Sequence, residues 1–225
     1  EVLNLSQPQL IEEVHRAYLD AGADIIETNT FNGTAISMAE YGLENRAADL
    51  SRAGAQIARR AVDRYAAETG RRCYVAGSMG PTPRTASVSQ DVSNPAARSV
   101  TFDQLRNAYS AQVQALVEGG ADILLLETVF DTLNAKAALF AIEEYFEKSG
   151  ARIPVVVSVT IVDRSGRNLS GQTVEAFWIS VSHMPMLAVG MNCALGAKQM
   201  RPFIEELAHL APIPIICYPN AGLPN

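Results

Sequence analysis

Positive charge and long apolar runs are scarce in this sequence of 225 residues. Lysine and arginine total 18 against 24 aspartates and glutamates, and the resulting net charge of −6 argues against a nucleic-acid partner, which needs a basic surface. No run of about 18 apolar residues occurs, so we expect no membrane-spanning helix. The first residues lack a basic segment leading into an apolar one, so we expect no secretory signal.

Cysteine, histidine and lysine are also rare, and the few that occur argue against several classes of enzyme and binding site. Three cysteines do not make a disulfide framework and favour reduced thiols in the cytoplasm. The lysines fall on predicted helices, which disfavours a Schiff-base aldolase, and the histidines lie away from strand ends, which disfavours histidine catalysis. No glycine-rich phosphate loop followed by lysine and serine or threonine is present, so nucleoside triphosphate chemistry is unsupported.

Short apolar runs alternate with longer amphipathic stretches along the chain. The runs are continuous and rich in branched residues, which is typical of strands buried on both faces of a parallel sheet. Hydrophobic residues make up 48% of the chain, enough for a sizeable core. Six strands are predicted, at 24–27, 73–76, 122–126, 155–159, 187–190 and 213–218.

Helices are predicted between these strands. The first is expected to begin at Ser6 with a capping box to Gln9, and Thr101 with Gln104 forms a second such box. The predicted helices span 6–22, 47–69, 101–117, 132–148, 173–182 and 198–210.

The order of one helix, five βα units and a final strand predicts parallel right-handed crossovers. Segments 21–28 and 119–128 resemble each other, since both carry a helix stop, a strand and then a Glu-Thr pair. Repeated units with polar residues at strand ends point to an α/β fold of the (β/α)8 TIM barrel type. A doubly wound open sheet is the alternative. Because a barrel needs eight strands and six are predicted, we expect 1–225 to be one barrel domain lacking its first and last strands.

Catalytic residues of a barrel lie at the C-terminal ends of its strands. There Cys193 is a candidate nucleophile or soft-metal ligand, or else a small buried apolar residue. Glu127 suits the ammonium group of a substrate, or else an ion pair with an arginine, and Glu27 is a weaker candidate for the same part. Asn29 and Asn220 can donate and accept hydrogen bonds, or else cap loop backbone.

Two loops are further candidates. The loop 77–82, starting with Gly77 and Ser78, offers backbone N–H groups to a carboxylate, or else is an ordinary turn. The polar loop 83–100 is long enough to be a lid, a docking surface for another domain or a tolerated insertion.

Several long motifs, in order, resemble the homocysteine-binding domain of cobalamin-dependent methionine synthases over essentially the whole chain. The segments at 127–136 and 169–173 favour this family over betaine-dependent relatives. The motifs are 23–32, 80–82 with 84–87, 127–136, 169–173, 192–196 and 219–225.

The resemblance implies a zinc site of three cysteine thiolates, of which Cys193 matches the first. The other two form a Cys-Cys pair that this sequence does not reach. Glu127 matches the anchor of the homocysteine amino group, Asn220 a polar group beside the zinc, and the backbone of Gly77 and Ser78 a contact to the substrate carboxylate.

The activity implied is methyl transfer. Zinc-activated homocysteine thiolate accepts the methyl group of methylcobalamin to give methionine, and the cobalamin and the folate that remethylates it bind to other domains of the same chain. With Cys193 alone, we expect these 225 residues to hold little zinc and to transfer little methyl. The alternatives are a betaine- or S-methylmethionine-dependent homocysteine methyltransferase and a truncated barrel that only binds a partner.

Overall fold

The computed structural model describes residues 1–89 and 91–221 and contains one parallel sheet. The last part of the 219–225 motif, residues 222–225, lies outside the described residues. Six strands pair in chain order, which a doubly wound sheet with its reversal of strand order does not do. The strands are β1 (Ile25–Glu27), β2 (Tyr74–Met79), β3 (Ile123–Val129), β4 (Val155–Val159), β5 (Ala188–Gly196) and β6 (Ile215–Asn220).

Helices cover one face of this sheet. Two short 3₁₀ helices, Ala39–Tyr41 and Glu44–Arg46, precede the longest α-helix. The α-helices are α1 (Leu3–Ser6), α2 (Pro8–Asp20), α3 (Ala35–Met38), α4 (Ala47–Thr69), α5 (Phe102–Glu118), α6 (Thr132–Ser149), α7 (Val174–Val181) and α8 (Ala197–Leu210). None of the helices in the described ranges is long and apolar enough to cross a bilayer.

The sheet is curled, as the predicted barrel requires. Tyr218 of β6 reaches Glu127 of β3 with a hydrogen bond of 3.3 Å. In a flat sheet these strands would lie about 14 Å apart, since neighbours are about 4.8 Å apart. Curvature therefore brings their inward side chains together, and the predicted fold class, six strands of a (β/α) barrel, is confirmed.

Alternation along the strands builds two apolar layers. Leu124, Leu126 and Val157 pack against the helices in the main core. On the concave face a smaller cluster forms from Ala76, Ile123, Leu125, Val156 and Ala188. The strands thus bury both faces, which explains their continuous apolar sequences.

Several of the predicted boundaries are wrong. The second helix begins at Pro8 behind Gln7 rather than at a Ser6 capping box, because Ser6 ends α1 and donates its hydroxyl to the Val2 carbonyl. Residues 77–79, predicted as loop, continue β2, and β5 runs six residues past its predicted end at Gly190 to Gly196. The Thr101–Gln104 capping box is confirmed.

Gly190 marks a close approach between strands. A β-carbon placed there would lie 2.1 Å from the carbonyl oxygen of Ile216 on β6. Gly196, at the end of the same strand, has nothing nearer than 3.8 Å to such a carbon. The β5–β6 pairing therefore requires glycine at the first position and tolerates a methyl group at the second.

We expect Gly190→Ala to lower the free energy of unfolding by about 2 kcal/mol, because the strands must separate to admit the methyl group. Urea denaturation measures the effect. Gly196→Ala is the matched control and should stay within about 0.5 kcal/mol of the parent protein. Equal effects of the two substitutions would contradict the close approach.

Candidate active site

Polar side chains line the concave face at the C-terminal ends of the strands. Most lie an even number of residues beyond an apolar member of the concave cluster, so the strand period of two turns them to the same face. We call these residues the mouth cluster: Ser78, Glu127, Ser158, Asn192 and Tyr218. Five strands, β2 to β6, contribute one residue each.

Glu127 is the buried acid of this cluster, with 5% of its surface exposed. The Ser78 hydroxyl donates to its Oε1 at 2.5 Å, and the Tyr218 hydroxyl donates to its Oε2 at 3.3 Å. Burial raises the pKa of Glu127, and the two hydrogen bonds oppose that rise. No arginine or lysine pairs with it in the described ranges, so the ion pair considered as its alternative role is not seen.

Glu27 is a second carboxyl group on the concave face. It lies at the end of β1 and its side chain is exposed. Desolvation, and then repulsion from Glu127, raise the pKa of Glu27 to about 7. The two carboxyl groups therefore repel each other at the same mouth, whereas the sequence predicts that only one of them serves a substrate ammonium group.

Asn192 ties three strands together and is fully buried. Its Oδ1 accepts from the Thr128 backbone N–H at 3.0 Å and from the Ser158 hydroxyl at 2.6 Å. Its Nδ2 donates to Thr128 Oγ1 at 2.7 Å and to Cys193 Sγ at 3.1 Å. The amide therefore uses both its donors and both its acceptor sites.

Cys193 lies in an irregular part of β5 rather than after the strand. The β3–β4 and β5–β6 ladders shift register between Leu126 and Val129 and between Asn192 and Gly196. Thr128, Cys193 and Ala194 have φ values of 56°, 59° and 50°. Among the described residues these are the non-glycine positions with left-handed backbone. Such strain is concentrated at functional sites, and here it sets the direction of the half-buried thiol.

A soft metal ion would find one thiolate here. Cys193 has the donor type that zinc prefers, and Asn192 holds its sulfur. Residues 1–89 and 91–221 contain no group of three or more histidine, cysteine, aspartate or glutamate side chains placed to share an ion. Cys193 thus fits as one ligand, and these residues do not complete a zinc site.

The remaining candidates have varied surroundings. Asn29 is bound to α1, since its Nδ2 donates to Asn4 Oδ1 at 3.0 Å. Asn220 is exposed at the end of β6, opposite Gly196. The Ser78 backbone N–H donates to Thr28 Oγ1 at 3.0 Å, and a β-carbon on Gly77 would contact α5. Ser78 therefore reaches the mouth through its hydroxyl, not its N–H.

The turn between β3 and α6 fixes two neighbouring loops. Asp131 accepts from the Ser87 N–H and hydroxyl at 2.9 and 2.6 Å, and Asn134 Nδ2 donates to the Arg84 carbonyl at 2.8 Å. On the other side, Thr132 Oγ1 donates to Gln172 at 2.5 Å. Three of the sequence motifs therefore meet beside Glu127, and the start of loop 83–100 is anchored there.

Ser158 and Tyr218 are site residues to which the sequence motifs assign no role. Both carry a usable signal, because each lies two residues beyond an apolar residue of the concave face, Val156 and Ile216. Counting in steps of two along each strand finds them. The sharing of Glu127 between β2 and β6 has no such signal, since it depends on the curl of the sheet.

Glu27 makes stability depend on pH. Its pKa is higher in the folded than in the unfolded protein, so between these values the folded protein holds a proton that the unfolded protein has released. The free energy of unfolding therefore falls as pH rises from about 4.5 to 7. Glu27→Gln should raise the melting temperature at pH 8 and leave it nearly unchanged at pH 4, as thermal unfolding at both pH values will show. Exposed Glu40→Gln is the control, and an equal rise at both pH values would contradict the desolvated carboxyl.

Known proteins place this site in context. The chain matches the crystal structure of homocysteine methyltransferase MmuM from Escherichia coli in its metallated form, with a TM-score of 0.82, 26% identity and coverage of 98% of this chain and 75% of that one. The oxidised form gives 0.81 and 25%, covering 97% and 73%. A phosphonomutase-like protein from Burkholderia cenocepacia, at TM-score 0.52, 14% identity and coverage of 92% and 73%, shares the fold alone. The homocysteine S-methyltransferase family model matches residues 1–225, and the chain belongs to that family.

Proposed function

We propose that this protein methylates the sulfur of homocysteine, with Glu127 binding the substrate's ammonium group. The observation that carries the proposal is a carboxyl group 5% exposed at the barrel mouth, whose hydrogen-bond partners within residues 1–89 and 91–221 are two hydroxyl groups. A buried carboxylate is costly without an opposite charge. The ammonium group of an amino acid supplies that charge, and family membership supports homocysteine as the amino acid.

Cys193 provides the second part of the proposed site, a ligand for a metal ion. We place a zinc ion on its thiolate, with the remaining thiolate ligands supplied from outside the described residues, as the sequence resemblance implies. The ion would act as a Lewis acid that keeps the substrate thiol deprotonated at neutral pH. Asn192 contributes from this chain by donating to Cys193 Sγ and so fixing the sulfur's direction. A reduced thiol is needed, which fits a cytoplasmic protein.

The methyl donor in this proposal is methylcobalamin, and the protein is a cobalamin-dependent methionine synthase. Support comes from the segments 127–136 and 169–173, which resemble that enzyme and which contact each other through Thr132 and Gln172. The proposed partners are cobalamin- and folate-binding domains of the same protein. The open mouth, lined by the anchored loops, is the surface on which the donor would approach.

A second candidate is a homocysteine methyltransferase that uses betaine or S-methylmethionine. The match to the homocysteine methyltransferase MmuM over 98% of this chain supports it as much as the first candidate, because both candidates methylate homocysteine. Both candidates place homocysteine on the same residues and differ in the donor.

Glu127→Gln in the full-length protein should weaken homocysteine binding about 10- to 100-fold, because the amide keeps the shape but loses the charge that pairs with ammonium. Isothermal titration calorimetry measures the dissociation constant. Glu206→Gln, exposed on α8, is the control with no expected effect. Unchanged binding in Glu127→Gln would remove Glu127 from the substrate site.

The donor is tested by supplying the full-length protein with homocysteine and either methylcobalamin, betaine or S-methylmethionine, and measuring methionine. We expect methionine with methylcobalamin only. Turnover with either other donor would select the second candidate instead.

A further inference from the structure

Tyr218, on the edge strand β6, hydrogen-bonds to the buried acid Glu127 across the concave face of the curled sheet. Its hydroxyl donates to Oε2 of Glu127 at 3.3 Å, whereas Ser78 donates to Oε1 at 2.5 Å. Each carboxylate oxygen therefore has one hydroxyl partner, and the two partners come from β2 and β6, on opposite sides of β3. A pair of donors on opposite sides fixes the rotation of the carboxylate about its last bond.

Because the carboxylate cannot rotate freely, the remaining lone pairs of its oxygens point in fixed directions. Each oxygen of an ionised carboxylate accepts about two hydrogen bonds, and one per oxygen is used. An ammonium group has three donors, and it binds best where acceptors already point toward it. Without Tyr218 the Oε2 atom would have no fixed partner, and the carboxylate would need to order itself when the substrate binds.

Tyr218 is itself held in place. Tyr218 pairs with Asn192 in the β5–β6 ladder, so its backbone is fixed beside the mouth cluster. Burial and the nearby Glu127 raise the pKa of Tyr218, so the phenol keeps its proton. The phenol is therefore a donor to the Glu127 carboxylate and not a competing anion.

We propose that Tyr218 is a positioning residue that makes the site selective for thiols bearing a primary ammonium group. This inference rests on the proposed function and deepens it, because it assigns the selectivity of the Glu127 subsite to a residue that does not touch the ammonium group. Neither the sequence motifs nor the family match singles out this tyrosine.

The test compares two ligands, L-homocysteine and 4-sulfanylbutanoate, which is the same thiol acid without the amino group. Calorimetry on the full-length protein gives the ratio of their dissociation constants. We expect the parent protein to prefer homocysteine at least tenfold, and Tyr218→Phe to lose most of that preference while binding 4-sulfanylbutanoate as before. A general loss of structure would weaken the binding of both ligands alike and leave the ratio of their dissociation constants unchanged.

Tyr74→Phe is the matched control, because Tyr74 packs on the same concave face at the opposite end of the barrel. It should leave the ratio unchanged. In a Glu127→Gln background, Tyr218→Phe should have no further effect on the ratio, since its action passes through that carboxylate.

Two results would overturn the inference and are distinguishable. If the parent protein prefers homocysteine and Tyr218→Phe keeps the full preference, the inference is wrong and the proposed function stands. If the parent protein shows no preference for homocysteine, both the role of Glu127 and that of Tyr218 are wrong.

Discussion

The hydrogen bonds of the Asn192 amide are the constraint on which the mouth of the barrel depends. They join β5 to the Thr128 backbone of β3 and to the Ser158 hydroxyl of β4, and they reach the Cys193 sulfur. The register shifts of β3 and β5 begin beside these bonds. A parallel ladder alone would keep these segments regular, because its backbone groups pair at even intervals. A fully buried amide that satisfies groups on β3 and β4 holds the irregular backbone in one arrangement instead.

The same mouth keeps two acids close together at a cost in stability. Glu27 and Glu127 repel one another, and desolvation raises the pKa of both. Elsewhere on the molecule acids are paired with arginines, as Asp122 is with Arg59. Within the described residues the concave face provides hydroxyls instead of cations. Hydroxyls orient a carboxylate without neutralising it, so the negative potential remains for a positively charged ligand. Selection for stability alone would favour an internal ion pair or an amide at Glu127.

The fold could be predicted from the sequence because the strand pattern and the helix pattern alternate regularly along the chain. Continuous apolar strands and amphipathic helices specify parallel βα units, and the capping residues Thr101 and Asp131 fix two helix starts. The strand ends were harder to predict, because Gly77, Ser78 and Asn192 look like loop residues although they continue strands. The Glu-Thr echo is also only partial. Thr28 accepts from the Ser78 N–H in ordinary backbone, whereas Thr128 is left-handed at a register shift. No local signal separates the two, since the difference comes from Asn192 64 residues away.

Strain and side-chain chemistry explain why glycine occupies one position of β5 and not another. At Gly190 the partner strand leaves no room for a β-carbon, so the backbone requires glycine. At Cys193 and Ala194 the backbone is left-handed, where glycine would relieve about 1 kcal/mol or more per residue. Cys193 nevertheless carries a side chain, and its sulfur accepts from Asn192. Glycine there would relax the strand and remove the thiol from the mouth. A strand that keeps a strained cysteine three residues after an obligatory glycine is one in which the position of the sulfur matters more than local stability.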